Sequence, residues 1–344
     1  MPNAASGPRP PRIGIKDVAA AAGVSPTTVS HALSNKGRVD DATRDRILAT
    51  CRELGYAPNR AAQSLKSGRS LTLGLSLPDI GGLSVKDLLL TEWYARFVVM
   101  AAAEATDHKY AVVVMPRIAA ASDVARIAVD GVVVLDPLID DRRLRILRAA
   151  GVPHVTVGRE PVASSAPSVS VDVRGGATQL LQHLLQRGAR SLLLLSGPTP
   201  DDYVTRFAAV FEELCVGGGA RSRLEVVGNA RTVKSSALYR QVGLTATAAL
   251  DDAEPPDAIV GLFEGFGVAI LEAARAASVA VPSHLRIAQD TNDSSSLTGP
   301  GITVLDQHLD QQAESSVQLL IDLLRGAEVA SATVPMTLIV RAST

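Results

Sequence analysis

Residues 15–37 read IKDVAAAAGVSPTTVSHALSNKG, and the reading of this stretch decides how the chain begins. Ile15, Val18 and Ala22 recur at helical spacing, with Asp17 in the first turn, where a carboxylate suits the helix dipole. Gly23 supplies a tight turn after that helix, and Ser25 is a good N-cap for the next one. Val24 is placed to pack against Val29, while Ala32 and Leu33 complete the inner face. The pattern predicts a helix, a short turn and a second helix: a helix-turn-helix. A third helix is expected after Asp40 as its cap, with Ile47, Leu48, Cys51 and Leu54 on one face and Pro58 stopping it.

Charge is distributed to match. The 344 residues carry a net charge of only −1, but residues 1–70 hold 11 Lys and Arg against 5 Asp and Glu, a surplus of +6. Residues 71–344 hold 23 against 30, a balance of −7. A basic head on an acidic body confines phosphate binding to one end. Aromatics are only 3% of the chain, so Ala, Val and Leu must fill the core. No apolar run reaches the roughly 18 residues that a membrane span needs. Residues 1–12, rich in Pro, Ala, Ser and Gly, read as a disordered tail without the apolar stretch of a secretory signal, so the expected setting is cytoplasmic. Cys51 and Cys215 read as buried thiols, and the six His show no ligand spacing, so neither a metal nor another cofactor is expected.

From Leu71, apolar strand-like runs alternate with amphipathic patterns: LTLGLSL, a helix over Lys86–Thr106, AVVVM, a helix over Asp123–Val129, GVVVL, a helix over Arg142–Ala150, HVTVG. A second set follows through SVSV, SLLLLSG, RLEVVG, AIVGLF and LRIAQD. The alternation predicts an α/β body of doubly wound parallel sheets behind an all-α head.

The stretches IKDVAAAAGVSPTTVSHAL and VDDATRDRILATCRELGYAPNRAAQSLKSGRS resemble the head of the lactose/purine repressor (LacI-type) family of bacterial regulators, almost unbroken over residues 15–70. VDGVVVLDP, AAGVPHVTVGRE and VDVRGGATQLLQHLLQRGARSLLLLSGP resemble the family's effector domain, which is built as two lobes like a periplasmic sugar-binding protein. The resemblance implies a head over 13–57, a hinge helix and linker over 58–70, and an effector-binding, dimerising body over 71–344. Lobe 1 is then expected at about 71–169 and 305–328, and lobe 2 at about 170–304 and 329–344.

By the same resemblance, Pro26, Thr27 and His31 lie in the major groove and face base edges, while Ser25, Thr28, Ser30 and Asn35 contact the DNA backbone. The segment Asn59–Lys66 is too short to be a stable helix alone. In the family it folds on operator DNA, where a leucine from each of two subunits wedges into the minor groove. Leu65 occupies that position, and Lys66 resembles the purine-repressor variant that reads a central C·G step. The implied protein is a homodimeric repressor of a pseudo-palindromic double-stranded operator, with no membrane partner. The ending TLIVRAST lacks heptad leucines, so a dimer is expected rather than a tetramer.

Ligands of open α/β sheets bind beyond the carboxyl ends of the strands, here between the lobes. The resemblance places Arg206 and Glu264 at effector-contacting positions, with Thr291 or Asn292 in place of a family Asp; Asp79, Asp136 and Arg159 also end strands. The implied effector is a sugar or related small metabolite, although Asp290 and Phe263-Glu264 depart from the family's pocket motifs. Nothing points to catalysis: no G-x-G-x-x-G follows the first strand and no G-x-S-x-G occurs. The alternative reading is a DNA-binding regulator whose body only dimerises or binds a protein partner, with no small-molecule response.

Overall fold

A computed structural model describes residues 13–34, 39–56, 68–80, 83–160, 166–198, 201–228, 235–297 and 301–344. Asn35, Asn59, Leu65 and Lys66, like the tail over 1–12, lie outside the described residues. The chain divides into two units, Met1–Ser70 and Leu71–Thr344.

The first unit holds α1 (Ile15–Ala22), α2 (Pro26–Ser34) and α3 (Asp41–Glu53). Gly23 ends α1 in the left-handed region at φ +65°, which only glycine adopts without strain. That turn lets the Val24 N–H reach back to the Ala19 carbonyl at 3.0 Å. The Ser25 hydroxyl accepts from the Thr28 N–H at 3.1 Å and Asp40 from the Thr43 N–H at 2.9 Å, so both expected caps form. Val18, Ala19, Ala22, Val29, Ala32, Ile47 and Cys51 make the core between the three helices. Leu48 departs from expectation at 38% exposure, because one residue beyond Ile47 rotates it about 100° round the helix.

The second unit has two six-stranded sheets. The first collects β1 (Thr72–Ser76), β2 (Ala111–Val114), β3 (Gly131–Leu135), β4 (His154–Val157), β5 (Ser168–Val171) and the late β11 (Ala332–Val334), in the order β11-β5-β4-β3-β1-β2, all parallel. The second collects β6 (Ser191–Ser196), β7 (Arg221–Val226), β8 (Ala258–Leu262), β9 (Arg286–Gln289), β10 (Thr303–Asp306) and β12 (Thr337–Ile339), in the order β12-β10-β9-β8-β6-β7, with only β12 antiparallel.

Helices α4 (Val85–Leu88), α5 (Glu92–Asp107), α6 (Ala121–Ile127), α7 (Arg142–Ala149) and α12 (Leu309–Leu324) belong with the first sheet. Helices α8 (Val173–Gln186), α9 (Asp202–Gly217), α10 (Ser235–Leu250) and α11 (Phe266–Ala276) belong with the second. The period of two puts successive strand residues on opposite faces, so a strand covered on both sides reads as continuously apolar. In β3, Val133 and Leu135 pack under α5 and α12 while Val132 and Val134 face α6 and α7. In β6, Leu192 and Leu194 face α8 and α9 while Leu193 and Leu195 face α10 and α11.

Two further expectations are corrected. The lobe boundaries move: β5 runs to Val171 in the first lobe, β10 belongs to the second as far as Asp306, and β11 returns to the first at Ala332–Val334. Three-residue strands carry too little alternation to assign from pattern, and backbone pairing to β5 decides the matter. The single helix expected over Lys86–Thr106 is two, broken at Leu89–Thr91.

Candidate functional site

The strand ends of both sheets converge on a cavity of about 180 Å³. A void of about 150 Å³ accommodates a benzene ring, so this one suits a single-ring molecule with substituents. Asp136 follows β3, Arg159 follows β4, Phe263 and Glu264 follow β8, Asp290 follows β9 and Gln307 follows β10. Asp201, Asp202, Tyr203 and Arg206 enter from the cap and first two turns of α9, and Trp93 and Tyr94 from the first turn of α5.

Asp136 adopts φ +42°, an uncommon conformation for a non-glycine residue. It is held there by its N–H on the Val157 carbonyl at 2.9 Å and by the guanidinium of Arg143, which reaches the Asp136 carbonyl at 3.2 Å. Arg143 is 3% exposed and also donates to Ser76 and Leu135 carbonyls at 2.9 and 3.0 Å, so it knots the ends of β1 and β3 together. Its counter-charge is Asp141, at 2.6 Å. The Asp136 carboxylate accepts from the Tyr94 hydroxyl at 2.7 Å, and burial pushes its pKa upward against the pull of Tyr94 and Arg143.

Across the cavity, burial raises Asp201 to about 7, even though its carboxylate caps α9 at the Val204 N–H; the charges of Asp136 and Asp202 add to the rise. Asp290 is pushed up to about 8 by burial, with Asp293 and Asp201 adding to it. The Tyr203 hydroxyl feels the Asp290 carboxylate without meeting it in hydrogen-bond geometry, and both the hydroxyl and Asp290 Oδ1 are enclosed without a partner among the described residues.

Of the residues expected from sequence, Asp136, Arg159, Arg206, Glu264 and Thr291 line the cavity together. Arg159 donates to Ser170 at 3.3 Å, and Arg206 lies 3.4 Å from Asp202. Asp79 and Asn292 do not line it. Asp79 turns outward to Arg117 at 2.9 Å, and Asn292 is clamped between Asp306 and Arg341 at 3.0 and 2.8 Å. Thr291 is at the edge, its hydroxyl and carbonyl both taken by the buried Gln289 amide.

Glu264 does something its position in the motif does not reveal. Its two oxygens accept the N–H groups of Glu92 and Trp93 at 2.8 and 2.9 Å, so a second-lobe carboxylate caps the first-lobe helix α5. Glu92 answers by accepting from the Ser294 N–H at 3.0 Å and from its hydroxyl. Sequence reading passed over Asp201 as a contributor; a pair of Asp residues opening a helix just after a strand was the available signal. Asp290 stands out in sequence only as a departure from the family's pocket motif.

In the head, Pro26 and Thr27 are exposed at the start of α2, and His31 is half-buried one turn on. The Thr28 hydroxyl lies 2.8 Å from that of Ser25, so these two share the cap. Pro26 takes the first helical position, where a missing N–H does not matter.

This architecture has known counterparts. Residues 14–59 match the family described as bacterial regulatory proteins, lacI family, and residues 181–344 match the periplasmic binding protein-like domain. The HTH-type transcriptional regulator PtxS of Pseudomonas plecoglossicida is 31% identical, the match covering 97% of this chain and 96% of that one. The chain belongs to the LacI family of DNA-binding transcriptional regulators, whose members are not enzymes. Among solved structures, a transcriptional regulator CelR–cellobiose complex is 25% identical, with a TM-score of 0.69 over 97% of this chain and all of that one. The Lac repressor dimer bound to operator and the anti-inducer ONPF shares the fold, with a TM-score of 0.79 at 21% identity over 97% and 99% of the two chains. No helix among the described residues is long and apolar enough to cross a membrane.

Proposed function

We propose that the protein is a cytoplasmic, homodimeric repressor, its DNA affinity set by a small polar metabolite held between the two lobes. The observation that carries this reading is the cavity itself: polar side chains from the strand ends of two sheets, in a chain that opens with a helix-turn-helix. The two similar structures support it, one carrying cellobiose and the other assembled as a dimer on operator with a small ligand. Pro26, Thr27 and His31 read base edges, and Ser25, Thr28, Ser30 and Asn35 position the helix on phosphates. The hinge, with Asn59, Leu65 and Lys66, folds on a central C·G step of a pseudo-palindromic site.

Selection of the purified chain against randomised duplexes at fixed salt tests the reading. An enriched palindrome with a central C·G step is the expected result. Sequence-blind, salt-sensitive binding with and without candidate effectors would refute it. A metabolite that raises Tm also changes affinity for the selected duplex, whereas a body that only dimerises gives no such coupling.

A further inference from the structure

The balance of charge in the cavity is uneven, and the unevenness is informative. Glu264 is occupied by the amides of α5, Asp87 caps α4 through Ser84, and Asp202 faces Arg206. Three further carboxyls line the cavity: Asp136 from the first lobe, which accepts from Tyr94; Asp290 from the second; and Asp201, which caps α9 and is near enough for its charge to be felt at both Tyr94 and Tyr203. Among the described residues none of the three has an ion-pair partner within 4 Å, because Arg143 is committed to Asp141 and Arg206 to Asp202. Asp290 is 4% exposed, lines the cavity, and leaves Oδ1 unbonded. Buried polar groups in folded proteins are nearly always satisfied, and here the Tyr203 hydroxyl is, among the described residues, the one unpartnered donor beside Asp290, so this cavity wall has room for a donor from a ligand.

No three His, Cys, Asp or Glu side chains among the described residues are grouped to hold a metal ion, and the three carboxyls stand apart around the cavity. Carboxyls spread around a single-ring space suit an organic cation, and Trp93, Tyr94, Tyr203 and Phe263 in the lining add aromatic surface that favours one. Arg159 and Arg206 also line the cavity, where they would repel a polyamine and instead favour oxygen acceptors on the ligand.

We propose that the metabolite sensed by this cavity is a single-ring, hydroxyl-bearing molecule with one protonated amino group, seated so that its ammonium meets Asp290, with Asp201 and Asp136 adding negative charge around it. This rests on the reading of the cavity as an effector site. The ammonium replaces the absent counter-charge, and its hydroxyls take up Arg159, Arg206 and Gln307. Bringing a cation against acids that are partly protonated drives them to ionise, so binding releases protons to the solvent.

The experiment uses the full-length chain and matched probes: glucosamine and an aminocyclitol, their neutral parents glucose and myo-inositol, and putrescine as an amine without a ring. Thermal shift and calorimetry are run at pH 7 in two buffers of different ionisation enthalpy. The expected result is an affinity at least tenfold higher for an aminated ring than for its neutral parent, with net proton release on the order of one. Asp290→Asn and, separately, Asp201→Asn should abolish both the preference and most of the release. Asparagine is also a good N-cap, so the second change preserves α9. A neutral probe that binds as well as its amine, or a preference that survives both substitutions, overturns the cationic assignment while leaving an effector site in place. Silence from every probe, with operator binding intact and unmoved, removes the effector reading and this inference with it.

Discussion

The contact of Glu264 with the start of α5 makes a local prediction that can be worked through. In Glu264→Gln one amide oxygen still accepts from either Glu92 or Trp93, but the NH2 group turns a donor toward the other N–H. One hydrogen bond to a charged acceptor is therefore lost, worth about 1.5–3 kcal/mol, and the survivor falls to a neutral one worth about 1 kcal/mol. Glu264 is only half-buried, so the lower end applies, a loss of about 2 kcal/mol at this contact. At 1.4 kcal/mol for each factor of ten, the amides of Glu92, Trp93 and the following turn should exchange with deuterium roughly 30-fold faster. Hydrogen exchange read by mass spectrometry on peptides spanning 89–97 measures this, with β6 as the internal control. A change of less than about threefold in those peptides would show that α5 does not depend on the second lobe for its cap, and the reasoning fails.

Asp141→Asn leaves the buried Arg143 guanidinium without a counter-charge, and should lower the body's stability in urea by about 3–5 kcal/mol. Burial alone would raise the Asp141 pKa, but its bonds to Arg143 hold it below 3.8, so the pair's contribution is present above about pH 4 and lost as pH falls further; acid titration of the Asn variant should lack that limb. Asp201 and Asp290 act in the opposite sense. With folded values of about 7 and 8 against 3.8 unfolded, the native state holds the extra protons, so stability falls as pH rises from about 4 to 8; Asp290→Asn should flatten the upper part of that slope. Ser25→Ala removes the cap of α2 and should destabilise the head by about 1 kcal/mol, seen as faster amide exchange at Thr28 and Val29.

The head was legible in the sequence because its signals are local: a left-handed glycine, two short-range caps and a helical apolar face each determine their own few residues. The sheets were legible for a related reason. Runs such as GVVVL and SLLLLS have few places to go except a strand covered on both sides. Pocket chemistry was not legible in the same way. Glu264 meets α5 across 172 residues of chain, and Asn292 is taken up by Arg341 from 49 residues away, while Thr291 is held by Gln289 two residues before it. Position in a motif says where a side chain stands, but the competition for its hydrogen bonds is settled by tertiary neighbours. The break between α4 and α5 belongs to the same class, since the amides it frees are accepted by the other lobe.

The chain passes between the lobes three times, after β5, after β10 and between β11 and β12. These passages are tied side by side, with the Asp172 N–H on the Val334 carbonyl at 2.8 Å and the His308 ring 2.8 Å from the Thr337 hydroxyl. Three short tethers bound together along one line behave like a torsion bar: they resist shear and separation but yield to twist. On the effector reading proposed above, a ligand entering the cavity would act on the body chiefly through the angle between the lobes, and whatever reads its state would need to sense only that one coordinate.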